Sequence, residues 1–312
     1  MIPAHLKGRD FLRVNDWDAE ELTLILDVAD RLKARQRERV EHRHLEGRSL
    51  GMIFQKPSTR TRVSFEVGIA QLGGTGLYLA AGDLQLGRGE TIKDTGVVLS
   101  RYLDGIMIRT FKQADVDELA EYADIPVING LTDEFHPCQA LADVLTIRER
   151  LGTFDDVTVA YLGDGNNVCH SLMVACAKLG MNFVAATPKG YEPSAEVVGW
   201  ARAAANVSGG SVELTTDPRA AAEGADVLYT DVWTSMGQDD ERERRLGDLA
   251  GFGIDDSLVS LASERAVVLH CLPAHYGEEI TEGVLYGPRS AVWDQAENRL
   301  HAQKALMALV IR

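Results

Sequence analysis

Seven short runs of β-forming residues, each followed by a helix-length amphipathic stretch, constrain this chain more than any other feature. SLGMIF (49–54), DGIMIR (104–109) and IPVING (125–130) fall in the first half; VTVAYLG (157–163), NFVAAT (182–187), VLYTDVW (227–233) and AVVLHCLP (266–273) fall in the second. Strands alternating with helices predict an α/β architecture with parallel sheets. Near-continuous Val, Ile and Leu within the runs implies strands covered by helices on both faces. Open parallel sheets bind ligands beyond the carboxyl ends of their strands, so functional residues are expected just after these runs. At 312 residues the chain suits two such lobes, and HPCQALADVLTIRERLG (136–152) reads as a helix joining them, with a cleft between the lobes as the expected site. The charged stretch GQDDERERR (237–245) reads as a solvated, flexible loop, with a mobile lid as the alternative.

A formal charge of −15 argues against general binding to nucleic acids or to membrane surfaces. No apolar run approaches the roughly 18 residues of a membrane helix, and the first residues include charges where a signal peptide needs an apolar stretch, so a cytoplasmic protein is expected. The four cysteines, 138, 169, 176 and 271, are too sparse for a disulfide framework and are expected to be reduced.

Against that acidity, FQKPSTRTRVSFE (54–66) puts two arginines and three hydroxyls into five consecutive positions behind a strand. Pro57 and Ser58 carry helix-start chemistry, which sets Ser58, Thr59, Arg60 and Thr61 at a helix N-terminus. Unpaired backbone N–H groups favour an anion there, and hydroxyls with a guanidinium complete a phosphate cradle; an ordinary serine cap with surface arginines is the plainer alternative. No G-x-x-x-x-G-K-[ST] loop occurs, so a nucleoside triphosphate is not implied. Arg109 ends a strand run where a ligand should lie. In HPCQ, His136 and Gln139 share a face of a helix start; His136 is either a capping histidine or a group that polarises a carbonyl.

In the second half, YLGDGNNVCHSL (161–172) resembles a dinucleotide fingerprint but has Val168 in place of the third glycine, so a nicotinamide cofactor is not expected. Its amides Asn166 and Asn167 suit a polar zwitterion or a tight turn. DVWTSMG (231–237) places Asp231 at a strand end, where a carboxylate can hold an ammonium group, with Ser235 and Met236 in the turn that follows. Cys271 in HCLPAH is either packing or a reactive thiol. No histidine or cysteine pair has zinc-ligand spacing, so no metal is expected.

Taken together, STRTR (58–62), HPCQ (136–139), DVWTSMG and HCLPAH (270–275) resemble the carbamoyltransferases, and the SMG turn with HCLP resembles the ornithine branch in particular. The resemblance implies transfer of a carbamoyl group from carbamoyl phosphate to the δ-amine of L-ornithine, giving citrulline and phosphate, without cofactor or metal. It implies a carbamoyl phosphate domain of residues 1–135 with 296–312, and an ornithine domain of residues 136–295. Ser58, Thr59, Arg60, Thr61 and Arg109 would hold the phosphate, and Thr61, Arg109, His136 and Arg299 the carbonyl oxygen. Gln139 and the Leu272 carbonyl would fix the carbamoyl amide, and Gln85 would reach the substrate of a neighbouring subunit. Asn167, Asp231, Ser235 and Met236 would hold ornithine, with Cys271 as the implied proton acceptor and a local base or the departing phosphate as the alternatives. Homotrimers or their multiples, with sites at subunit interfaces, are implied as well. Transfer to putrescine or an acylated ornithine, a nicotinamide oxidoreductase and a non-catalytic carbamoyl phosphate sensor are the rival readings.

Overall fold

The computed structural model describes residues 4–80, 82, 84, 89–234 and 239–312. The chain divides into two compact units, one of residues 1–141 with 299–312 and one of residues 142–298.

The first unit contains β1 (Ser49–Phe54), β2 (Thr75–Ala80), β3 (Gly105–Arg109) and β4 (Val127–Leu131), all parallel, in the order β2-β1-β3-β4. Its helices are α1 (Ala19–Arg37), α2 (Thr59–Gln71), α3 (Ile92–Leu99) and α4 (Gln113–Tyr122), joined by the start of α5 (Pro137–Leu151). α1 opens on a capping box in which the Asp18 carboxylate accepts the Glu21 N–H and the Glu21 carboxylate accepts the Asp18 N–H. From β1 the chain moves outward to β2, and β3 returns to the other side of β1. The strand order therefore reverses between β1 and β3, where Phe54 pairs with Arg109. A crevice at the carboxyl ends of two such strands is where open α/β sheets take their ligands.

In the second unit, β5 (Thr158–Leu162), β6 (Asn182–Ala186), β7 (Ser211–Thr215), β8 (Val227–Thr230) and β9 (Val267–His270) form a parallel sheet in the order β7-β6-β5-β8-β9. Between and after them come α6 (Asn167–Lys178), α7 (Ala195–Ser208), α8 (Pro218–Ala222), α9 (Arg242–Asp248), α10 (Asp256–Val259), α11 (Glu282–Leu285) and α12 (Val292–Val310). α12 begins in this unit and ends in the first. The order reverses between β5 and β8, whose last residues Leu162 and Thr230 are paired.

All seven expected strands are present; β1 spans its run residue for residue, and the other six differ from theirs by one to four residues at the ends, where turns begin. Sequence patterning missed β2 and β7. Each lies at a sheet edge, and their residues are largely exposed or only half-buried, so the continuous apolar signature of a covered strand is absent. The loop expected at 237–245 is also corrected. Asp239–Glu241 forms a 3₁₀ turn that leads into α9, and Arg245 is buried, donating to the Trp233 carbonyl and pairing with Asp164. Glu241 faces Arg244 and Arg245 at three- and four-residue spacings, so the charge run is a helix start rather than a solvated chain.

Candidate active site

Ser58 caps α2. Its Oγ accepts the Thr61 N–H at 3.2 Å and its hydroxyl donates to Thr61 Oγ1 at 3.1 Å. Thr61 is fully buried because a second helix covers it: Arg299 of α12 donates from Nη2 to Thr61 Oγ1 at 2.8 Å and from Nη1 to Gln139 Oε1 at 2.9 Å. Ser58, Thr61, Arg299 and Gln139 thus form one hydrogen-bonded series across three helices, beside the switch point of the first sheet. The two arginines of STRTR diverge. Arg62 turns outward, pairs with Glu66 and stacks on Tyr78 with its guanidinium carbon 3.9 Å from the ring centroid. Arg60 adds to the positive field felt by His136.

Arg109 ends β3 and His136 precedes α5, and both are buried. Burial, followed by the positive charges of Arg299, Arg109 and Arg60, pulls the His136 imidazole well below its ordinary pKa. At neutral pH it is therefore a neutral ring whose N–H can donate, with the arginines supplying the positive charge. Cys138, two residues along, is buried and its thiol is pushed up to about 12, which makes it packing rather than a nucleophile.

In the second unit, the turns after β5, β8 and β9 bring three motifs together. The Asp231 carboxylate accepts the Asn166 side-chain N–H at 2.8 Å on one oxygen and the Cys271 thiol at 2.9 Å on the other. Asn166 is also the N-cap of α6, its Oδ1 accepting from Val168 N, Cys169 N and the Tyr161 hydroxyl. The amide that meets Asp231 is Asn166, and Asn167, named beside it from sequence, is the first residue of the helix itself. The available signal was positional: an asparagine directly before a helix after a strand is a cap.

A buried polar layer supports this carboxylate. Tyr161 and Tyr229 stack at 5.6 Å between centroids, Tyr229 donates to Asp143, and Gln295 donates to Asp143 while accepting the His270 N–H. Burial, with the nearby negative charge of Asp231 for Tyr161 and of Asp143 for Tyr229, raises both tyrosines well above their ordinary range, so they remain hydroxyl donors.

The HCLP turn has its own support, which the sequence did not reveal. The Leu272 N–H donates to His270 Nδ1 at 2.9 Å, so that nitrogen must be the lone-pair acceptor and Nε2 carries the hydrogen. Nε2 then donates to Glu279 at 3.1 Å, and both side chains are fully buried. Leu272 sits at φ +59°, an unfavourable region for a branched side chain, and the fixed imidazole holds it there. Asp231, His270 and Cys271 bring possible metal-ligand atoms within 4.8 Å of one another. However, both nitrogens of His270 are already committed, and the Cys271 thiol is directed at Asp231. Gln85, Ser235 and Met236, with the SMG loop, lie outside the described residues.

Residues 9–149 match the family model for the aspartate/ornithine carbamoyltransferase carbamoyl-P binding domain, and residues 155–310 match that for the Asp/Orn binding domain. An ornithine carbamoyltransferase of Pyrococcus horikoshii is 58% identical over 306 residues, covering 98% of this chain and 96% of that protein. The one from Pyrococcus furiosus described as anabolic is also 58% identical, with 98% and 97% covered. The solved structure of the ornithine carbamoyltransferase from P. furiosus superimposes with a TM-score of 0.96 at 58% identity, covering 98% of each chain. That from Thermus thermophilus gives 0.87 at 42% identity, covering 97% of this chain and 99% of its own. Both units thus match a known lineage along nearly their whole length, and the chain belongs to the aspartate/ornithine carbamoyltransferase family, on its ornithine carbamoyltransferase branch.

Proposed function

We propose that this chain performs the ornithine carbamoyltransferase reaction with the residues set out above, the first unit holding carbamoyl phosphate and the second L-ornithine. The observation that carries this reading is the hydrogen-bonded series Ser58–Thr61–Arg299–Gln139, beside Arg109 and a neutral His136. Ser58, Thr59, Arg60, Thr61 and Arg109 take the phosphate at the α2 N-terminus, where the helix dipole adds to the guanidinium charge. Thr61, Arg109, His136 and Arg299 face the carbonyl oxygen, and Gln139 and the Leu272 carbonyl orient the amide.

The δ-nitrogen adds to the carbonyl carbon, and the electron pair of the carbonyl moves onto its oxygen. Collapse of this tetrahedral species breaks the C–O bond to phosphate, which leaves with the bonding pair. Donors aimed at the developing oxyanion accelerate such a step, each being worth about 10² to 10³ in rate. The δ-amine has a lysine-like pKa near 10 and must lose a proton to attack. We assign that proton to the Cys271–Asp231 pair. Because the thiol donates to Asp231, Cys271 becomes an acceptor only once its own proton has passed to the carboxylate. Asn167, Asp231, Ser235 and Met236 hold ornithine's α-amino and α-carboxyl groups.

Citrulline formation from carbamoyl phosphate, with ornithine set against putrescine, acetylornithine and aspartate, tests the reading. Activity confined to ornithine is expected. Activity confined to another acceptor would overturn the reading of the second unit alone.

We further propose a homotrimer or a multiple of trimers in the cytoplasm, with Gln85 reaching a neighbouring substrate. Edge strand β2 and helix α3 leave Leu77, Tyr78, Val97 and Val98 exposed, a surface suited to a second copy of the chain. Light scattering should return a multiple of three 34.1 kDa chains. The cytoplasmic placement is supported by the four cysteines, all of them free thiols. Among the described residues no helix is long and apolar enough to cross a membrane.

A further inference from the structure

The helix pair α2 and α12 supplies Thr61 and Arg299 to the carbamoyl phosphate cradle, yet that contact is only one end of their packing. Midway along, Gly68 lets the helices approach closely. A Cβ built there would lie 3.0 Å from Met307 Cε, 3.2 Å from Lys304 Cγ and 3.5 Å from Leu300 Cδ1. At the far end, Gln71, the last residue of α2, accepts a hydrogen bond from Lys304 Nζ at 2.8 Å. The same ammonium donates to Gln36 Oε1 on α1 at 2.6 Å and to His42 Nε2 at 3.1 Å. His42 Nδ1 lies 2.9 Å from the Val40 carbonyl and must carry the hydrogen there, which leaves Nε2 as an acceptor.

Lys304 is fully buried, and every hydrogen-bond acceptor it meets among the described residues is neutral. An ammonium taken out of water without a carboxylate is costly unless each of its protons is satisfied, and here all three are. Burial pulls its pKa down to about 8, so it remains mostly charged at neutral pH. A methionine or leucine would fill that space without this cost. The feature that distinguishes lysine is direction, because three fixed acceptors on α1, α2 and the segment between them define where α12 can sit.

We propose that Lys304 is a positioning residue of the carbamoyl phosphate half-site, fixing the register of α12 on α2 that places Arg299 against Thr61. The inference rests on the reading of Ser58–Thr61 and Arg299 as the cradle. The two polar contacts, Thr61–Arg299 and Gln71–Lys304, bracket the glycine crossing, so a slip of α12 along α2 breaks both. A guanidinium held by two hydrogen bonds tolerates little displacement, and misplacement by about 1 Å is enough to cost up to about a hundredfold in an oriented reaction.

The test uses steady-state kinetics of the full chain for Lys304→Met, Gln71→Leu, the double variant and Arg60→Ala. Lys304→Met and Gln71→Leu should each raise the carbamoyl phosphate KM by about tenfold, while the ornithine KM stays within about twofold. The double variant should be no worse than Lys304→Met, since both remove the same contact. Gln71→Leu leaves the buried charge with two partners and keeps the test open if Lys304→Met fails to fold. Unchanged carbamoyl phosphate KM in the folded variants, or equal rises in both KM values for Gln71→Leu, would overturn the positioning role. Arg60→Ala separates the two levels: damage there with Lys304→Met and Gln71→Leu unaffected sinks only the role of Lys304, whereas a normal carbamoyl phosphate KM in Arg60→Ala removes the cradle reading itself.

Discussion

Each unit sets its candidate residues at a reversal of strand order, yet the two fill that position with opposite chemistry. In the first unit the hydroxyls that follow β1 meet the Arg299 guanidinium of α12, Arg109 ends β3, and the one titratable ring beside them, His136, is kept neutral by burial and by its cationic neighbours. In the second, the side chains beyond β5, β8 and β9 converge on a single carboxylate, Asp231, which accepts from an amide and a thiol. The first site is complete in positive charge and suits an anionic substrate whose negative charge shifts during reaction. The second offers one acceptor group suited to a cationic amino acid. The contrast teaches that the same sheet geometry serves either charge, and that specificity comes from what the turn residues carry.

The sharpest way to break this contrast is to remove positive charge from the first unit. Arg299→Ala should lower kcat by about 10³-fold, since it removes the guanidinium proposed to face the oxyanion, with its hydrogen bonds to Thr61 and Gln139. Turnover within about tenfold of the parent would place Arg299 outside the chemistry. The mirror experiment on the second unit is Asp231→Asn, which keeps the shape and removes the charge. The ornithine KM should rise by about a hundredfold, with carbamoyl phosphate binding unchanged when measured by competition with inorganic phosphate. Loss of phosphate competition in that variant would show that the division of labour between the units is false.

A smaller effect comes from His136. Its folded-state pKa lies well below the 6.5 of an unfolded histidine. Between those two values the unfolded chain binds a proton that the folded chain refuses, so stability falls as pH drops below about 6.5, by up to about 1.4 kcal/mol per pH unit for this one group. Urea unfolding at pH 7.5 and 5.5, compared with His136→Gln, should show the parent losing more stability on acidification. Equal losses would mean that His136 is not held neutral.

How far these features could be read beforehand follows the same physics. Covered strands such as β3 and β5 declared themselves by unbroken apolar runs. The edge strands β2 and β7 did not, because residues such as Leu77 and Tyr78 are more than a third exposed and no alternation is enforced. Groups that act through short-range motifs, Ser58 to Thr61 above all, were legible from capping chemistry alone. Asn166 was half legible: its type pointed to polar recognition, but its cap geometry and its contact with Asp231 needed the fold. Glu279 left no trace, since its role depends on a turn that folds it back beneath His270. Arg245 was misread for a related reason. A run of acids and arginines looks solvated until one member finds a half-buried carboxylate such as Asp164.

The discontinuity of the first unit has a consequence for biosynthesis. Residues 142–298 are contiguous, but the carbamoyl phosphate cradle waits for Arg299, which the ribosome adds only after the whole of that second unit. A nascent chain can thus assemble its acceptor half while its phosphate half still lacks the helix that seals Thr61. Affinity for the more reactive substrate arrives only after the acceptor half has been made, so a chain broken off before Arg299 has no finished pocket in which to sequester it.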